Sequence, residues 1–258
     1  PTPSENPDVS GAPRLAQIWR HPVKALSRER LGRVRLEAGA PLPLDRRWAV
    51  THERGRFDGT WAPKGNFLRG VSAPSLMAVT STYDEGSGRL MLAHPDHGEI
   101  EIDPADPAAS AAVVAWLAPL WPEGFPPPTG LVSADIALTD VPEPWVSVNN
   151  LASHRAVADR LGEPGLSIHR WRGNLWLDGL APWEEFDWPG RRLRIGEAVL
   201  EVQERITRCM ATAANPETGR RDHDTLAALR AWDHEDFGVY ALVIEDGEIA
   251  EGTAVTLP

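Results

Sequence analysis

The chain has 258 residues, 42% of them hydrophobic and 24% charged, a composition that is typical of a globular protein and excludes the disordered and fibrous classes. The net charge of −11 argues against nucleic acid as a partner, because binding a phosphate backbone requires a basic face. No apolar run is long enough to span a bilayer, and a single cysteine excludes an internal disulfide, an iron–sulfur cluster and a zinc site of several thiolates.

The first half of the chain is predicted to form short strands between turns. Residues 1–13 lack the basic-then-apolar pattern of a signal peptide, so we expect a flexible arm and a cytoplasmic protein. Strands are predicted over residues 14–19, 34–36, 48–50, 76–82 and 89–93, the last two as a hairpin. A helix over residues 108–117 follows the start signal Asp106-Pro107, and the proline-rich stretch 121–130 is predicted to be a loop or a domain connector.

The second half continues the same pattern. A helix is predicted over residues 153–161, with Ser153 as N-cap and Gly162 just past its end, and another over 223–232. Strands are predicted over residues 175–177, 192–195, 199–202, 238–244 and 251–257. Many short strands with few helices indicate a barrel or a sandwich rather than a doubly wound sheet. The glycine-rich loops that cradle nucleotide phosphates are absent from the sequence.

Cys209 is the first candidate for chemistry. It follows a predicted strand, and its neighbour Arg208 favours the thiolate, which is the reactive form of a cysteine. A cysteine in a loop at a strand end can be presented to a ligand by a rigid scaffold. The alternative is that a lone cysteine is a small buried hydrophobe.

Six basic residues form the second candidate feature, because each lies near a predicted strand end. They are Lys24, Arg46, Arg47, Lys64, Arg172 and Arg208. If the fold brings them together, they form the local cationic pocket that an acidic protein needs to hold a phosphate group. The alternative is ordinary solvated surface charge.

Several short segments resemble the MOSC family, named after the C-terminal domain of molybdenum cofactor sulfurase. The first half contains IWRHPVK at residues 18–24 and LDRRW at 44–48. The second half contains RGNL at 172–175, PWEE at 182–185, IG at 195–196, RC at 208–209 and PETG at 216–219. These segments occur in the order and approximate spacing of that family, and the resemblance covers nearly the whole chain after the first dozen residues.

The resemblance implies a mainly β fold with some α structure (α+β) in two domains. Residues 14–130 would form an N-terminal β-rich lobe with a helical insertion, and residues 131–258 a MOSC-type β-barrel. The flexible arm of residues 1–13 would precede both.

The resemblance also implies a molybdenum cofactor, in which a pterin holds the metal and ends in a phosphate. Cys209 would be the protein ligand of molybdenum and the catalytic residue. The residues implied to bind the cofactor are Lys24, Arg46, Lys64, Arg172, Asn174, Thr207, Arg208 and Cys209. Three positions depart from the family pattern: Ala25 stands where a serine is usual, Asn215 where an aspartate is common, and Lys64 where relatives place an arginine.

The function implied is that of an oxidoreductase, similar to the mitochondrial amidoxime-reducing components and to bacterial reductases of N-hydroxylated bases. A small N-hydroxylated substrate, or an S- or N-oxide, would be reduced with electrons from a separate donor protein of ferredoxin, flavodoxin or cytochrome b5 type. A separate donor is expected because the chain lacks the cysteine-rich ferredoxin domain of some relatives. Among the histidines, His21 is the best candidate for a proton donor, ahead of His169 and His223, because it lies beside Lys24 in the first motif. The alternative for each is a structural role, which is the more common one for a lone histidine.

Two other functions stay open from the sequence. Cys209 could carry sulfur as a persulfide, or the chain could bind the cofactor without catalysis. Cofactor binding is favoured over sulfur carriage because both halves of the phosphate clamp, Lys24 with Arg46 and Arg172 with Asn174, are present.

Overall fold

The structure is a computed structural model that describes residues 11–257. Within that range the strands are β1 Arg14–Arg20, β2 Glu29–Leu31, β3 Arg33–Leu36, β4 Trp48–His52, β5 Thr80–Asp84, β6 Arg89–His94, β7 Gly98–Ile102, β8 Pro128–Ser133, β9 Val146–Asn150, β10 Leu175–Asp178, β11 Arg192–Ile195, β12 Ala198–Thr207, β13 Asp236–Glu245, β14 Gly247–Ala250 and β15 Val255–Thr256. The α-helices are α1 Pro107–Leu117, α2 Leu151–Leu161 and α3 Thr225–Leu229. Short 3-10 helices cover Lys64–Asn66, Pro74–Ala78, Ala118–Leu120, Ile168–Trp171, Glu184–Asp187, Met210–Ala213 and Arg230–Trp232.

Eight strands form one sheet in the order β15-β11-β12-β13-β9-β10-β1-β2. The segment before β15 returns to β1, where Leu15 N donates to Thr253 O at 2.8 Å and Gly252 N donates to Leu15 O at 2.7 Å. These bonds close the sheet into a barrel. The predicted class, a mainly β fold with few helices, is confirmed.

Alternation along the two longest strands explains how the barrel buries its core. Val239, Ala241 and Val243 of β13 are buried in the same apolar cluster as Leu200 and Val202 of β12. Because successive side chains of a strand point to opposite faces, the residues between them face away from this cluster. The register of β12 against β13 shifts after Val202 and again before Thr207, and such bulges bend a strand.

Helix α2 joins the parallel neighbours β9 and β10. It begins at Leu151, and the side chain of Asn150 caps it by accepting from Ala152 N at 2.8 Å. The prediction of Ser153 as N-cap is therefore wrong; Ser153 lies inside the helix and is buried. Gly162 ends the helix in the left-handed conformation, as predicted.

Ser153 belongs to a buried polar group around the carboxylate of Glu185, which forms no ion pair with any lysine or arginine of the described residues. The hydroxyl of Ser153 donates to Glu185 Oε1 at 2.8 Å, and Asn150 Nδ2 donates to Glu185 Oε2 at 2.8 Å. Burial raises the pKa of Glu185 to about 7 against these hydrogen bonds. A carboxyl group whose folded-state pKa is raised stabilises the fold below its unfolded pKa, and loses that contribution as the pH rises through the folded pKa.

Glu185→Gln is therefore expected to stabilise the protein at pH 8 and to have little effect at pH 4.5. The ionised carboxylate costs roughly 3 kcal/mol at the higher pH, because each unit of pKa shift corresponds to about 1.4 kcal/mol. Urea unfolding of both proteins at several pH values measures the difference. A difference that does not change with pH would contradict the raised pKa. Glu184→Gln, a substitution of the neighbouring acid, is the control.

The first half of the chain adds a second layer to the fold. Strands β5, β6 and β7 form a three-stranded meander, whose first turn confirms the predicted hairpin. The predicted start of its first strand at residue 76 is wrong, because residues 76–78 belong to the 3-10 helix Pro74–Ala78 and β5 begins at Thr80. Helix α1 packs its Val113 and Leu117 into an apolar cluster with the meander, and Asp106 caps it as predicted. Strands β1 and β2 instead join the barrel, and β3 pairs with β14. The loop predicted over residues 121–130 ends at Pro128, where the unpredicted strand β8 begins.

The remaining predictions about organisation stay open. Residues 1–10 of the predicted arm lie outside the described part of the chain, and the domain boundary at 130/131 stays a prediction. Among residues 11–257 the longest α-helices have 11 residues, well short of the length that a membrane span requires.

Candidate functional site

One cavity of about 520 Å³ lies where loops of both halves of the chain meet the barrel. Its walls come from the loop after β1, the segments around residues 64–71 and 139–147, the RGN segment, the end of β12 and one residue of β13. The structure brings all the predicted site residues to this cavity: Lys24, Arg46, Lys64, Arg172, Asn174, Thr207, Arg208 and Cys209. Arg47 does not line it, and its guanidinium instead contacts Asp135 at 3.2 Å.

The cavity is strongly basic although the chain is acidic. Among the described residues that line it are eight lysines and arginines but only two carboxylates, Asp140 and Glu204. Cations held together in this way repel one another unless a counter-ion is present. The lining is therefore suited to an anionic ligand.

Arg172 shows this lack of a counter-ion most clearly. Its guanidinium donates to the backbone oxygens of Leu26 at 2.7 Å and Ser27 at 3.3 Å, and no carboxylate of residues 11–257 pairs with it. Burial, followed by the charge of Arg46, lowers the pKa of Arg172 to about 9. The residue stays charged at neutral pH, partly exposed to the cavity that it lines.

Arg208 is held in the same manner. It donates to Trp171 O at 2.8 Å and to Phe237 O at 2.9 Å, and the described residues offer it no carboxylate. The rings of Trp171 and Phe237 stack at 3.9 Å, so these two carbonyls belong to a rigid aromatic cluster. Burial lowers the pKa of Arg208 to about 10. Two guanidinium groups of one cavity are thus bound only by neutral acceptors.

Lys24 differs from Arg172 and Arg208 because it pairs with a carboxylate, that of Asp140. Its Nζ lies 2.6 Å from Asp140 Oδ1, and Nζ of Lys64 lies 3.4 Å from Asp140 Oδ2. Burial lowers the pKa of Lys24. Burial acts to raise the pKa of Asp140, but the charges of Lys24 and Lys64 outweigh it and lower this pKa to about 2. Asp140 therefore stays ionised and bridges the two lysines at one end of the cavity.

The backbone around the cavity is strained. Of the seven non-glycine residues with positive φ in residues 11–257, three line the cavity: Ala25, Arg46 and Arg172. Such conformations cost about 1 to 3 kcal/mol each and concentrate at functional sites. Arg46 is fixed further by an ion pair with the buried Asp45 and by donation to Arg172 O at 2.8 Å.

Cys209 stands on the wall of the cavity and is exposed. It follows the bent end of β12 and precedes the 3-10 helix Met210–Ala213. Its carbonyl accepts from Thr212 N at 3.1 Å, and Arg208 N donates to Glu235 O at 2.9 Å, which fixes the backbone on both sides. The interpretation of Cys209 as a small buried hydrophobe is wrong.

Asn174 and Thr207 use their side chains mostly within the protein. Asn174 Oδ1 accepts from Ser147 Oγ at 2.9 Å, and its Nδ2 donates to Trp19 O at 3.1 Å, so the amide ties strands together. Thr207 Oγ1 donates to Asp236 Oδ1 at 2.7 Å. Both residues line the cavity, and their role toward a cofactor stays a prediction.

Gly173, between Arg172 and Asn174, is required by close packing. A Cβ at this position would lie 2.1 Å from Nδ2 of the buried Asn149. Gly238 of β13 contacts the same side chain, with a Cβ position 2.6 Å from Asn149 Oδ1. Only glycine permits this approach, which brings the RGN segment and β13 together behind Arg208.

None of the three histidines considered as proton donors lines the cavity. His21 is buried behind it with a pKa that burial lowers, His169 packs against Trp19, and His223 lies 3.6 Å from Glu163. Five further residues line the cavity without having been predicted from the sequence: Asp140, Trp145, Tyr240, Arg69 and Arg170. Nothing in the spacing of these residues marks them.

Within residues 11–257, no three His, Cys, Asp or Glu side chains come together as a metal site.

Comparison with known proteins gives two family matches. The profile of the MOSC N-terminal beta barrel domain matches residues 12–118, and that of the MOSC domain matches residues 136–256. No curated protein matches the chain.

Among solved structures, the YuaD protein from Bacillus subtilis is similar at 9% identity and a TM-score of 0.46, over 95% of this chain and 94% of that one. YiiM from Geobacillus stearothermophilus (21% identity) and YiiM from Escherichia coli (18% identity) each align over 44% of this chain and 53% of their own, with TM-scores of 0.33.

Proposed function

Because this chain belongs to the MOSC family, we propose that it binds the molybdenum cofactor (Mo-molybdopterin) in the basic cavity and acts as a reductase. The substrate proposed is a small N-hydroxylated compound, or an S- or N-oxide. Electrons would come from a separate protein of ferredoxin, flavodoxin or cytochrome b5 type. No nucleic acid or membrane is part of the proposal, and the expected location is the cytoplasm.

The observation that carries this proposal is a pair of guanidinium groups, Arg172 and Arg208, that no carboxylate of residues 11–257 pairs with, on the walls that also carry the exposed Cys209. A phosphate ester satisfies such cations, since charge-assisted hydrogen bonds to an anion are roughly twice as strong as neutral ones. A thiolate is a suitable protein ligand for a metal that other sulfur atoms already hold. The residues present therefore fit a phosphate-bearing, sulfur-ligated metal cofactor.

Each residue has a proposed role in holding the group. Lys24, Arg46 and Arg172 would bind the phosphate, because they lie at the end of the cavity where Asp140 now bridges the lysines. Cys209 would be the protein ligand of molybdenum, with Arg208 beside it. When bound, the cofactor supplies two-electron oxygen-atom chemistry, which no side chain of the protein can perform. The protein contributes position, charge and exclusion of water.

The test is the metal content of the purified protein. From a host that makes molybdenum cofactor, we expect near-stoichiometric molybdenum by mass spectrometry and release of a pterin on denaturation. Protein from a host unable to make the cofactor should contain neither and fold equally well. Absence of both from each preparation, with an intact fold, would contradict the proposal.

Sulfur carriage by a Cys209 persulfide is the second candidate, favoured by the exposure of the thiol. It requires a sulfur donor and no permanent metal. Persulfide labelling of protein that lacks molybdenum distinguishes it from the first proposal. A third possibility, cofactor binding without catalysis, would give full molybdenum content and no turnover of any N-hydroxylated or S-oxide substrate.

A further inference from the structure

The hydroxyl groups on the cavity wall differ in whether the protein already uses them. Five hydroxyl side chains of the described residues line the cavity. Four of them donate to protein oxygens at 2.6–3.0 Å: Thr139 to Val141 O, Ser147 to Asn174 Oδ1, Thr207 to Asp236 Oδ1 and Thr212 to Cys209 O. The fifth is Tyr240, whose phenol has no hydrogen-bond partner within residues 11–257. A free phenol on a cavity wall is available to a ligand.

Tyr240 is held in place by its ring rather than by its hydroxyl. It lies on β13 between Val239 and Ala241, which point into the barrel core, so its own side chain points to the opposite face. The ring packs against Trp145, with centroids 5.4 Å apart and planes inclined by 39°. This contact leaves the hydroxyl unconstrained by any other group of the described chain.

The charges near Tyr240 suit a proton donor. Burial raises the pKa of Tyr240, and the phenol is therefore protonated at neutral pH. Arg208, Arg46 and Lys64 act in the opposite direction, while Asp140 acts with burial. These three cations would stabilise the phenolate that remains after a proton is given up.

We propose that Tyr240 is the hydrogen-bond and proton donor to the oxygen of the bound substrate, an inference that rests on the proposed reductase function. Reduction of an N-hydroxyl group breaks the N–O bond, consumes two electrons from the separate donor protein and two protons, and forms an N–H bond and water. Tyr240 supplies one of the two protons, to the departing oxygen, and regains it from water that enters the cavity. The second proton, which forms the N–H bond, comes from the same water. Positioned proton donors of this kind typically contribute about 10² to 10⁴-fold to a rate.

Tyr240→Phe tests the proposal, because it removes the hydroxyl and keeps the ring against Trp145. The matched control is Tyr83→Phe, at the only other tyrosine of the chain, which packs against Trp48 and does not line the cavity. With an aryl amidoxime as substrate, we expect Tyr240→Phe to lower kcat about a hundredfold. It should also remove the alkaline limb of the pH profile and leave the molybdenum content unchanged. Tyr83→Phe should match the wild type in all three.

A fully loaded Tyr240→Phe enzyme with unchanged kcat and pH profile would overturn the proposal and leave the reductase function intact. A second measurement does not depend on turnover. In the Tyr83→Phe protein, Tyr240 is the only tyrosine, so carbon-13 labelling of tyrosine gives one phenol resonance to titrate.

In that protein, prepared without cofactor, inorganic phosphate bound at Arg46 is expected to raise the pKa of Tyr240, because it neutralises a cation that holds this pKa down. Phosphate that binds, by calorimetry, without altering this titration would show that the phenol is not coupled to the cavity cations that would stabilise its phenolate, and would overturn the proposal. If no preparation binds either molybdenum or phosphate, the proposed function and this inference are both overturned.

Discussion

Replacing Cys209 by serine is expected to abolish turnover and to lower the molybdenum content of the purified protein. Serine keeps the size of the side chain but offers a hydroxyl that does not ionise at neutral pH, in place of a soft thiolate. Loss of a group that only orients a metal ligand typically costs 10- to 100-fold in affinity or activity, so loss of the ligand itself should cost more than about a hundredfold. Metal analysis and steady-state kinetics on the same preparation measure both effects.

The stability of the Cys209→Ser protein should be nearly unchanged, within about 0.5 kcal/mol, because the side chain is exposed. Met210→Leu is the matched control, since Met210 is the exposed neighbour that does not line the cavity. A Cys209→Ser protein that keeps full molybdenum and full activity would remove Cys209 from the proposed site. One that does not fold would assign it a structural role instead.

The double substitution of Arg172 and Arg208 by glutamine is expected to weaken anion binding strongly. Arg172 is the proposed phosphate ligand of the two, and Arg208 adds positive charge to the same cavity. A hydrogen bond to a charged group contributes about 1.5 to 3 kcal/mol, so the loss should weaken phosphate binding by at least about ten- to a hundredfold. Calorimetry with inorganic phosphate on protein made without cofactor measures the affinity directly. The same variant expressed in a cofactor-producing host should contain little molybdenum.

Arg47→Gln combined with Arg89→Gln is the matched control, because both arginines pair with surface acids and neither lines the cavity; Arg47 is partly buried and Arg89 is exposed. Each cavity arginine also binds backbone oxygens, so the glutamine variants should lose some stability as well. Arg172→Lys retains the charge and should recover much of the binding. Wild-type phosphate affinity in a folded double glutamine variant would show that the anion site lies elsewhere.

Local patterns in the sequence were sufficient for many elements of the fold. Helix α1 was predicted because Asp106 and Pro107 are a local signal for the start of a helix. The β5–β6 hairpin was predicted because the glycines between its strands are a local signal for a turn. Strand β9 was missed because all five of its residues are buried, and no alternation marks a strand that is covered on both faces. The cap of α2 was misplaced because Ser153 and Asn150 are both good capping residues. Only the structure shows that Asn150 Oδ1 accepts from Ala152 N, while the hydroxyl of Ser153 donates to Glu185.

The site residues likewise divide into those that the sequence predicted and those that only the fold brings to the cavity. The family motifs contain six of the eight named residues that the fold brings to one cavity: Lys24, Arg46, Arg172, Asn174, Arg208 and Cys209. Thr207 adjoins the RC segment, and Lys64 was named only from its approximate position in the family pattern. Asp140 and Tyr240 lie in no such motif. Asp140 is 116 residues from Lys24 along the chain, and the two meet only because the loop before β9 folds over the end of β1.

The sequence by itself determined the mainly β class, the family resemblance and the identity of Cys209 as the single thiol. It did so because composition, turn signals and short motifs are properties of neighbouring residues. The tertiary structure alone decided that the scattered cations converge and that Cys209 is exposed. It also decided that, within the part of the chain that the structure describes, Arg172 and Arg208 have no carboxylate partner and the hydroxyl of Tyr240 has no hydrogen-bond partner. Burial, charge balance and unused hydrogen bonds depend on which distant segments meet, and that is settled only when the barrel closes.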